Sequence, residues 1–87
     1  MIQFAFKTCP ETQAFGELIV HEMMSTFGIS QEEAVGRINR RWGHLELTNP
    51  QHIIFHDDET FWARDIYFGH DSVWWKDEAN AKPLPYP

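Results

Sequence analysis

A helix stop followed at once by a helix start constrains the fold of this chain more than any other feature. Gly28 is well placed to end a helix in the left-handed conformation, and Ser30 with Glu33 forms a capping box for the next helix. Apolar residues recur at three- and four-residue spacing on both sides of this join. The sequence therefore predicts a two-helix hairpin, with one helix over 10–27 and a second that runs to about Trp42.

Short segments with strand-like patterns flank this hairpin. Residues 2–6 alternate apolar side chains with small or polar ones, and 45–47 and 53–55 are β-rich on either side of an Asn-Pro turn. We predict an N-terminal strand from the first segment and short antiparallel strands from the other two. The segment 73–75 predicts a final strand.

The aromatic part of the chain carries a third helix signal. Acidic residues at 57–59 resemble the start of a helix, and Gly69 is placed to end it. The predicted fold class is therefore α+β: N-terminal strand, two-helix hairpin, short antiparallel strands, short aromatic helix and final strand. The 87 residues predict a single small globular domain over 1–80 and a proline-rich, extended tail over 81–87.

Charge and cysteine content restrict the class of protein. The net charge is −6, and residues 45–87 account for most of it, with three basic and eight acidic side chains. Such a field repels phosphate backbones and attracts basic partners. A single cysteine predicts a fold without internal disulfides, and the N-terminal residues lack the pattern of a signal peptide. We therefore expect a cytoplasmic protein that does not enter a membrane.

The acidic half is also the aromatic half, and this coincidence indicates a binding surface. Six of the thirteen aromatic residues fall within 61–75. Tryptophan is enriched among the residues that dominate protein–protein binding energy, and adjacent tryptophans on an extended segment point to opposite faces. The sequence predicts non-catalytic binding of a protein partner, either a basic protein or a second copy of the chain. The candidate partner-binding residues are Tyr67, Asp71, Trp74, Trp75 and Asp77.

A DNA-binding protein of the winged helix-turn-helix class is the main alternative. The second helix of the hairpin carries four candidate nucleic-acid contacts, which are Arg37, Asn39, Arg40 and Arg41. The segments 45–56 would form the wing. The net negative charge of the chain disfavours this class. The position of the arginines disfavours it too, because bases would be read by the N-terminal turn of the helix, and that turn carries two glutamates.

A small metal- or thiol-dependent enzyme is the second alternative. Cys9 precedes a helix, where thiol pKa values fall, and His52, His56 and His70 have aspartates nearby in the sequence. No spacing fixes a metal geometry and no base is assigned to the thiol. We therefore predict no catalytic residue, no metal site and no cofactor.

Three segments resemble a group of small bacterial proteins. They are residues 27–42 (FGISQEEAVGRINRRW), residues 61–69 (FWARDIYFG), and Trp74–Trp75 together with the terminal KPLPYP. In size and charge the chain is also similar to immunity proteins of bacterial toxin systems. This likeness implies an immunity- or antitoxin-like inhibitor that acts through an acidic aromatic surface, and it assigns no functional residue.

Overall fold

The computed structural model describes residues 2–87, which form three α-helices and two short 3₁₀ helices. Helix α1 spans Pro10–Phe27, α2 spans Gln31–Trp42 and α3 spans Glu59–Phe68. The 3₁₀ helices cover Ile53–His56 and Glu78–Asn80. The predicted hairpin and the predicted aromatic helix are therefore confirmed by the bounds of α1, α2 and α3.

Local capping explains why these helices begin and end where they do. Gly28 adopts φ 68° and donates its amide to the Met24 carbonyl at 3.0 Å, which closes α1. The Ser30 hydroxyl accepts the Glu33 amide at 3.1 Å, and the Asp58 carboxylate accepts the Phe61 amide at 2.9 Å. The predicted capping box is only half formed, because the Glu33 carboxylate accepts from Arg37 Nε at 2.9 Å instead of from the Ser30 amide.

The α+β prediction is wrong, because residues 2–87 contain no sheet. The strand-like pairing described there is one isolated parallel bridge between Thr8 and Leu47. It consists of Cys9 N–H to the Leu47 carbonyl and Leu47 N–H to the Lys7 carbonyl, both at 3.0 Å. The protein is a small globule of helices, and the segments 2–6, 45–47, 53–55 and 73–75 are not strands.

Two of these segments show why a strand-like pattern did not produce a strand. At 53–55, the His52 side chain accepts the Ile54 amide at 3.2 Å and its carbonyl accepts the Phe55 amide at 3.1 Å, which winds the chain into a 3₁₀ turn. At 2–6, the Phe4 and Phe6 rings stack on each other with centroids 5.1 Å apart, and Phe6 is buried against the core. Alternation there reflects packing on helices rather than a sheet.

One apolar core holds the three helices together. Helix α1 packs against both α2 and α3, and burial of each large apolar side chain between them contributes roughly 1.5–3 kcal/mol. The largest apolar side chains that are almost fully buried are Ile19, Val20, Met23, Ile38, Trp42 and Leu47. Gly16 lets the N-terminal segment approach α1, since a Cβ there would lie 2.8 Å from the Phe4 ring. No helix within residues 2–87 is long and apolar enough to cross a bilayer.

Candidate functional site: an acidic aromatic turn

The chain reverses direction twice after α3 and forms what we call the acidic aromatic turn, residues 71–77. The Ser72 amide donates to the Gly69 carbonyl at 3.1 Å, and the Lys76 amide donates to the Val73 carbonyl at 2.9 Å. The Asp77 amide then donates to the Trp74 carbonyl at 3.2 Å. These successive turns take the place of the predicted strand over 73–75, because they curl the backbone and bond it to its own neighbours in the chain.

Trp74 holds this turn against α3. Its side chain is buried, with 8% exposure, and its ring lies 5.7 Å from the Phe61 ring and 6.4 Å from the Phe68 ring. The indole Nε1 donates to Asp65 Oδ1 at 3.4 Å. Phe61, Asp65 and Phe68 lie on one stripe of α3 at helical spacing, so Trp74 covers that stripe. Sequence reasoning placed Trp74 on the binding surface, whereas the structure places it inside the fold.

Asp65 is the polar residue that fixes this packing, and sequence reasoning did not single it out. The residue is 2% exposed, and its carboxylate accepts from Arg41 Nη2 of α2 as well as from the Trp74 indole. His70 Nδ1 lies 3.6 Å from Asp65 Oδ2. A buried carboxylate requires such partners. The signal in the sequence is a single acidic residue on an aromatic helical stripe, with a cluster of arginines at the end of another helix.

Trp75 and Val73 remain on the outside of the same turn. Trp75 is 58% exposed and Val73 is 56% exposed, although the Trp75 ring still packs edge-on against Trp74 at 5.8 Å. Asp71 and Asp77, the other two predicted binding residues in this segment, are exposed beside them. The turn therefore presents two large apolar side chains flanked by two carboxylates on a backbone closed by hydrogen bonds.

The charge of the turn is only partly compensated. Asp77 accepts from the Asn80 side-chain amide at 2.7 Å, and Glu78 just beyond the turn pairs with Arg64 at 2.9 Å. No basic side chain within residues 2–87 lies within 4 Å of the carboxylate of Asp71 or Asp77. The two carboxylates outnumber the one basic residue of the turn, Lys76, so the surface around Trp75 is net acidic.

Tyr67 does not belong to this surface. Its ring stacks on Phe27 with centroids 3.8 Å apart, and the guanidinium of Arg37 lies 4.8 Å from the ring centroid. Its carbonyl accepts from the Leu84 amide at 2.9 Å. The residue is half-buried between α1, α2 and the C-terminal segment, outside the turn that carries the other four predicted binding residues.

The four candidate nucleic-acid residues form contacts within the chain. Arg37 is 4% exposed and binds Glu33 and the Tyr67 carbonyl, and Arg41 binds Asp65. Asn39 accepts the Ala5 amide at 2.8 Å. Arg40 is exposed and donates to the Pro85 carbonyl at 3.1 Å. The predicted wing over 45–56 is also missing, since that segment contains a turn and a 3₁₀ helix.

Residues 82–87, here called the C-terminal strap, lie across α2 and the end of α3. Beside the bond from the Leu84 amide, Tyr86 places its ring within reach of two guanidinium groups, at 5.4 Å from Arg37 and 5.5 Å from Arg40. Gly36 provides the space for this ring, because a Cβ there would lie 1.8 Å from the Tyr86 hydroxyl. The strap is thus seated by specific contacts.

The residues considered for metal or thiol chemistry have separate structural roles. His52 caps the 3₁₀ helix, and Cys9 is the half-buried N-cap of α1, with its amide bonded to the Thr12 hydroxyl at 2.9 Å. Within residues 2–87 no three His, Cys, Asp or Glu side chains are grouped so that they could hold a metal ion.

Comparison with known proteins adds no relative. No protein family, no curated protein and no solved structure shows significant similarity to the chain. The resemblance to small bacterial proteins and to immunity proteins therefore stays a prediction.

Proposed function

We propose that this protein is a non-catalytic protein-binding module that docks a basic partner on the acidic aromatic turn. The observation that carries the proposal is the different burial of two adjacent tryptophans. Trp74 is buried and hydrogen-bonded to Asp65, while Trp75 is 58% exposed. Exposed tryptophans on an ordered backbone are the residues that most often dominate protein–protein binding energy.

The turn suits binding because it is already ordered. Immobilising a flexible side chain costs about 0.5–1.5 kcal/mol on association. Here the backbone of 69–77 is closed by three hydrogen bonds, and the Trp75 ring packs edge-on against Trp74. Less ordering remains for the partner to impose, so a small surface can still contribute useful affinity.

Charge favours a basic partner over a second copy of the chain. In a two-fold symmetric dimer centred on the turn, Asp71 and Asp77 would meet the same residues of the other subunit. Like charges at an interface oppose association, whereas a basic and apolar patch complements both the carboxylates and the indole. This surface fits an inhibitor of the immunity or antitoxin type that binds a basic target protein.

Site-specific photo-crosslinking tests the proposal. A photoreactive amino acid replaces Trp75 in one version of the full chain and Leu18 in another, and adducts formed in the native host are identified by mass spectrometry. Leu18 is a matched control because it is 51% exposed and lies on α1, outside the turn. We expect an adduct with a basic protein from position 75 that is absent from position 18. Identical adducts from both positions, or none from position 75, would contradict the proposal.

A further inference from the structure

A depression of about 260 Å³ lies between α2, the end of α3 and the C-terminal strap, and no residue of 71–77 lines it. Its walls combine cationic and apolar side chains. We call it the arginine pocket, and its lining residues are Arg37, Arg40, Arg41, Ile66, His70 and Leu84. None of these residues contributes an exposed side chain to the acidic aromatic turn, so the pocket requires its own explanation.

The pocket gathers more positive than negative charge, in a chain whose net charge is −6. Two of its three arginines have a carboxylate partner: Arg37 pairs with Glu33 at 2.9 Å, and Arg41 pairs with Asp65. Arg40 has no carboxylate within 4 Å among residues 2–87. His70, which is 78% exposed, lies at the rim with Nδ1 facing Asp65. One guanidinium charge is therefore left without a counter-charge from the described part of the chain.

Unused hydrogen-bond donors accompany this charge. A guanidinium carries five N–H groups arranged to bind carboxylate or phosphate oxygens. The hydrogen bonds of Arg40 to residues 2–87 use only Nη1, which donates to the Pro85 carbonyl at 3.1 Å, while the guanidinium carbon lies 5.5 Å from the Tyr86 ring centroid. Its Nε and Nη2 groups donate to no described residue. Beside them, the Ile66 and Leu84 side chains line the same depression with apolar surface.

We propose that the arginine pocket binds a small oxyanion, with Arg40 as the principal ligand-binding residue and His70 at the rim. The volume corresponds to roughly nine water molecules at about 30 Å³ each, which admits a phosphate group or a small carboxylate. The apolar wall suits a carboxylate that carries a short hydrocarbon or aromatic body. The strap forms one side of the pocket through Leu84, so an occupant also touches the segment that Arg40 holds.

The test titrates the full chain with inorganic phosphate, and separately with benzoate, against sodium chloride of the same ionic strength. The readout is the arginine Nε–Hε signals in NMR spectra. We expect saturable shifts at Arg40 with one or both anions. The affinity read from the remaining arginine signals should fall about tenfold or more in Arg40→Gln, because the neutral amide cannot form charge-assisted hydrogen bonds to the anion. Saturation by phosphate alone identifies a phosphate site, and saturation by benzoate alone identifies a carboxylate site.

Arg64→Gln is the matched control. Arg64 carries the same charge as Arg40, but it is partly buried, pairs with Glu22 at 3.4 Å and with Glu78 at 2.9 Å, and does not line the pocket. We expect this variant to bind anions as the unmodified chain does. The proposal is overturned if the shifts grow in proportion to anion concentration without saturation, or if Arg40→Gln and Arg64→Gln weaken binding equally. The spectra of both variants also report whether the fold is retained.

Discussion

The acidic aromatic turn and the C-terminal strap are both irregular segments with aromatic residues, and both lie against α3. They differ in how their large side chains are packed. The strap fits Tyr86 into the space over Gly36 and beside two arginines, and its Leu84 amide bonds to the Tyr67 carbonyl. The turn buries Trp74 but leaves Trp75 outside. Tyr86 is itself 39% exposed but has two cationic neighbours, whereas Trp75 is 58% exposed and packs edge-on against Trp74, so the turn leaves more of its outer ring open to a partner.

Within the turn, one tryptophan fixes the segment to α3 and the other is exposed to solvent. Trp74 attaches the segment through Phe61, Phe68 and Asp65, and Trp75 is presented by that attachment. In the strap, the corresponding contacts attach the segment to α2. The following predictions test this division, beginning with the largest expected effect.

Trp74→Ala is expected to destabilise the protein by about 3 kcal/mol, because it removes a buried indole and leaves a cavity over α3. Trp75→Ala removes the same group from a mostly exposed position and is expected to change the free energy of unfolding by no more than about 0.5 kcal/mol. Urea denaturation of both variants measures the two values. Equal losses of stability would show that the two tryptophans do not have separate roles.

Asp65→Ala is expected to cost about 2–3 kcal/mol, since it leaves Arg41 and the Trp74 indole without their shared acceptor. Asp71→Ala, which removes an exposed carboxylate of the turn, should stay within about 0.5 kcal/mol. Thermal and urea unfolding provide the measurement. If Asp65→Ala were as mild as Asp71→Ala, the buried carboxylate would not be what fixes the turn to α3.

Gly36→Ala tests the attachment of the strap. The added Cβ would overlap the Tyr86 hydroxyl, so the ring must leave its place while α2 gains up to about 1 kcal/mol of helix propensity. We expect faster hydrogen exchange at the Leu84 amide with the helices intact. In a double-mutant cycle with Tyr86→Ala, the two changes should couple by about 1 kcal/mol, and additive effects would mean that Tyr86 does not occupy this space.

The smallest expected effect is on the pKa of Glu17 in α1, outside both the turn and the strap. The Gln13 side-chain amide donates to the Glu17 carboxylate at 2.9 Å and lowers the pKa of Glu17 below its ordinary value. Folding therefore favours the ionised form, and this contribution is present above the ordinary pKa and is lost as the pH falls through the lowered one. Gln13→Ala should raise the pKa of Glu17 in an NMR titration; an unchanged value would remove Gln13 as the cause.

The helices could be predicted from the sequence because their signals are local. Ser30, Asp58, Gly28 and Gly69 act on backbone groups within a few residues, so their effect does not depend on the rest of the fold. Strands differ, because a strand exists only if another segment pairs with it. At 53–55, the His52 side chain supplies a nearer acceptor, and only Ile54 is buried while Ile53 is 71% exposed.

The candidate site was predictable in position but not in detail. The sequence indicates that aromatic and acidic residues coincide near Trp74 and Trp75, since both facts are compositional. It does not distinguish the two indoles, because the choice depends on Asp65 being held in place by Arg41 from another helix. For the same reason, Arg37 and Arg41 resemble ligand contacts in the sequence and are partners of Glu33 and Asp65 in the fold.

The most direct test of the central claim uses the partner protein identified by crosslinking from position 75. Calorimetry measures its affinity for the unmodified chain and for the Trp75→Ala variant. We predict that the substitution weakens binding by about tenfold or more, as removal of a hot-spot tryptophan does, while the unfolding midpoint stays unchanged. Unchanged affinity in a folded Trp75→Ala variant would contradict the assignment of this turn as the docking surface.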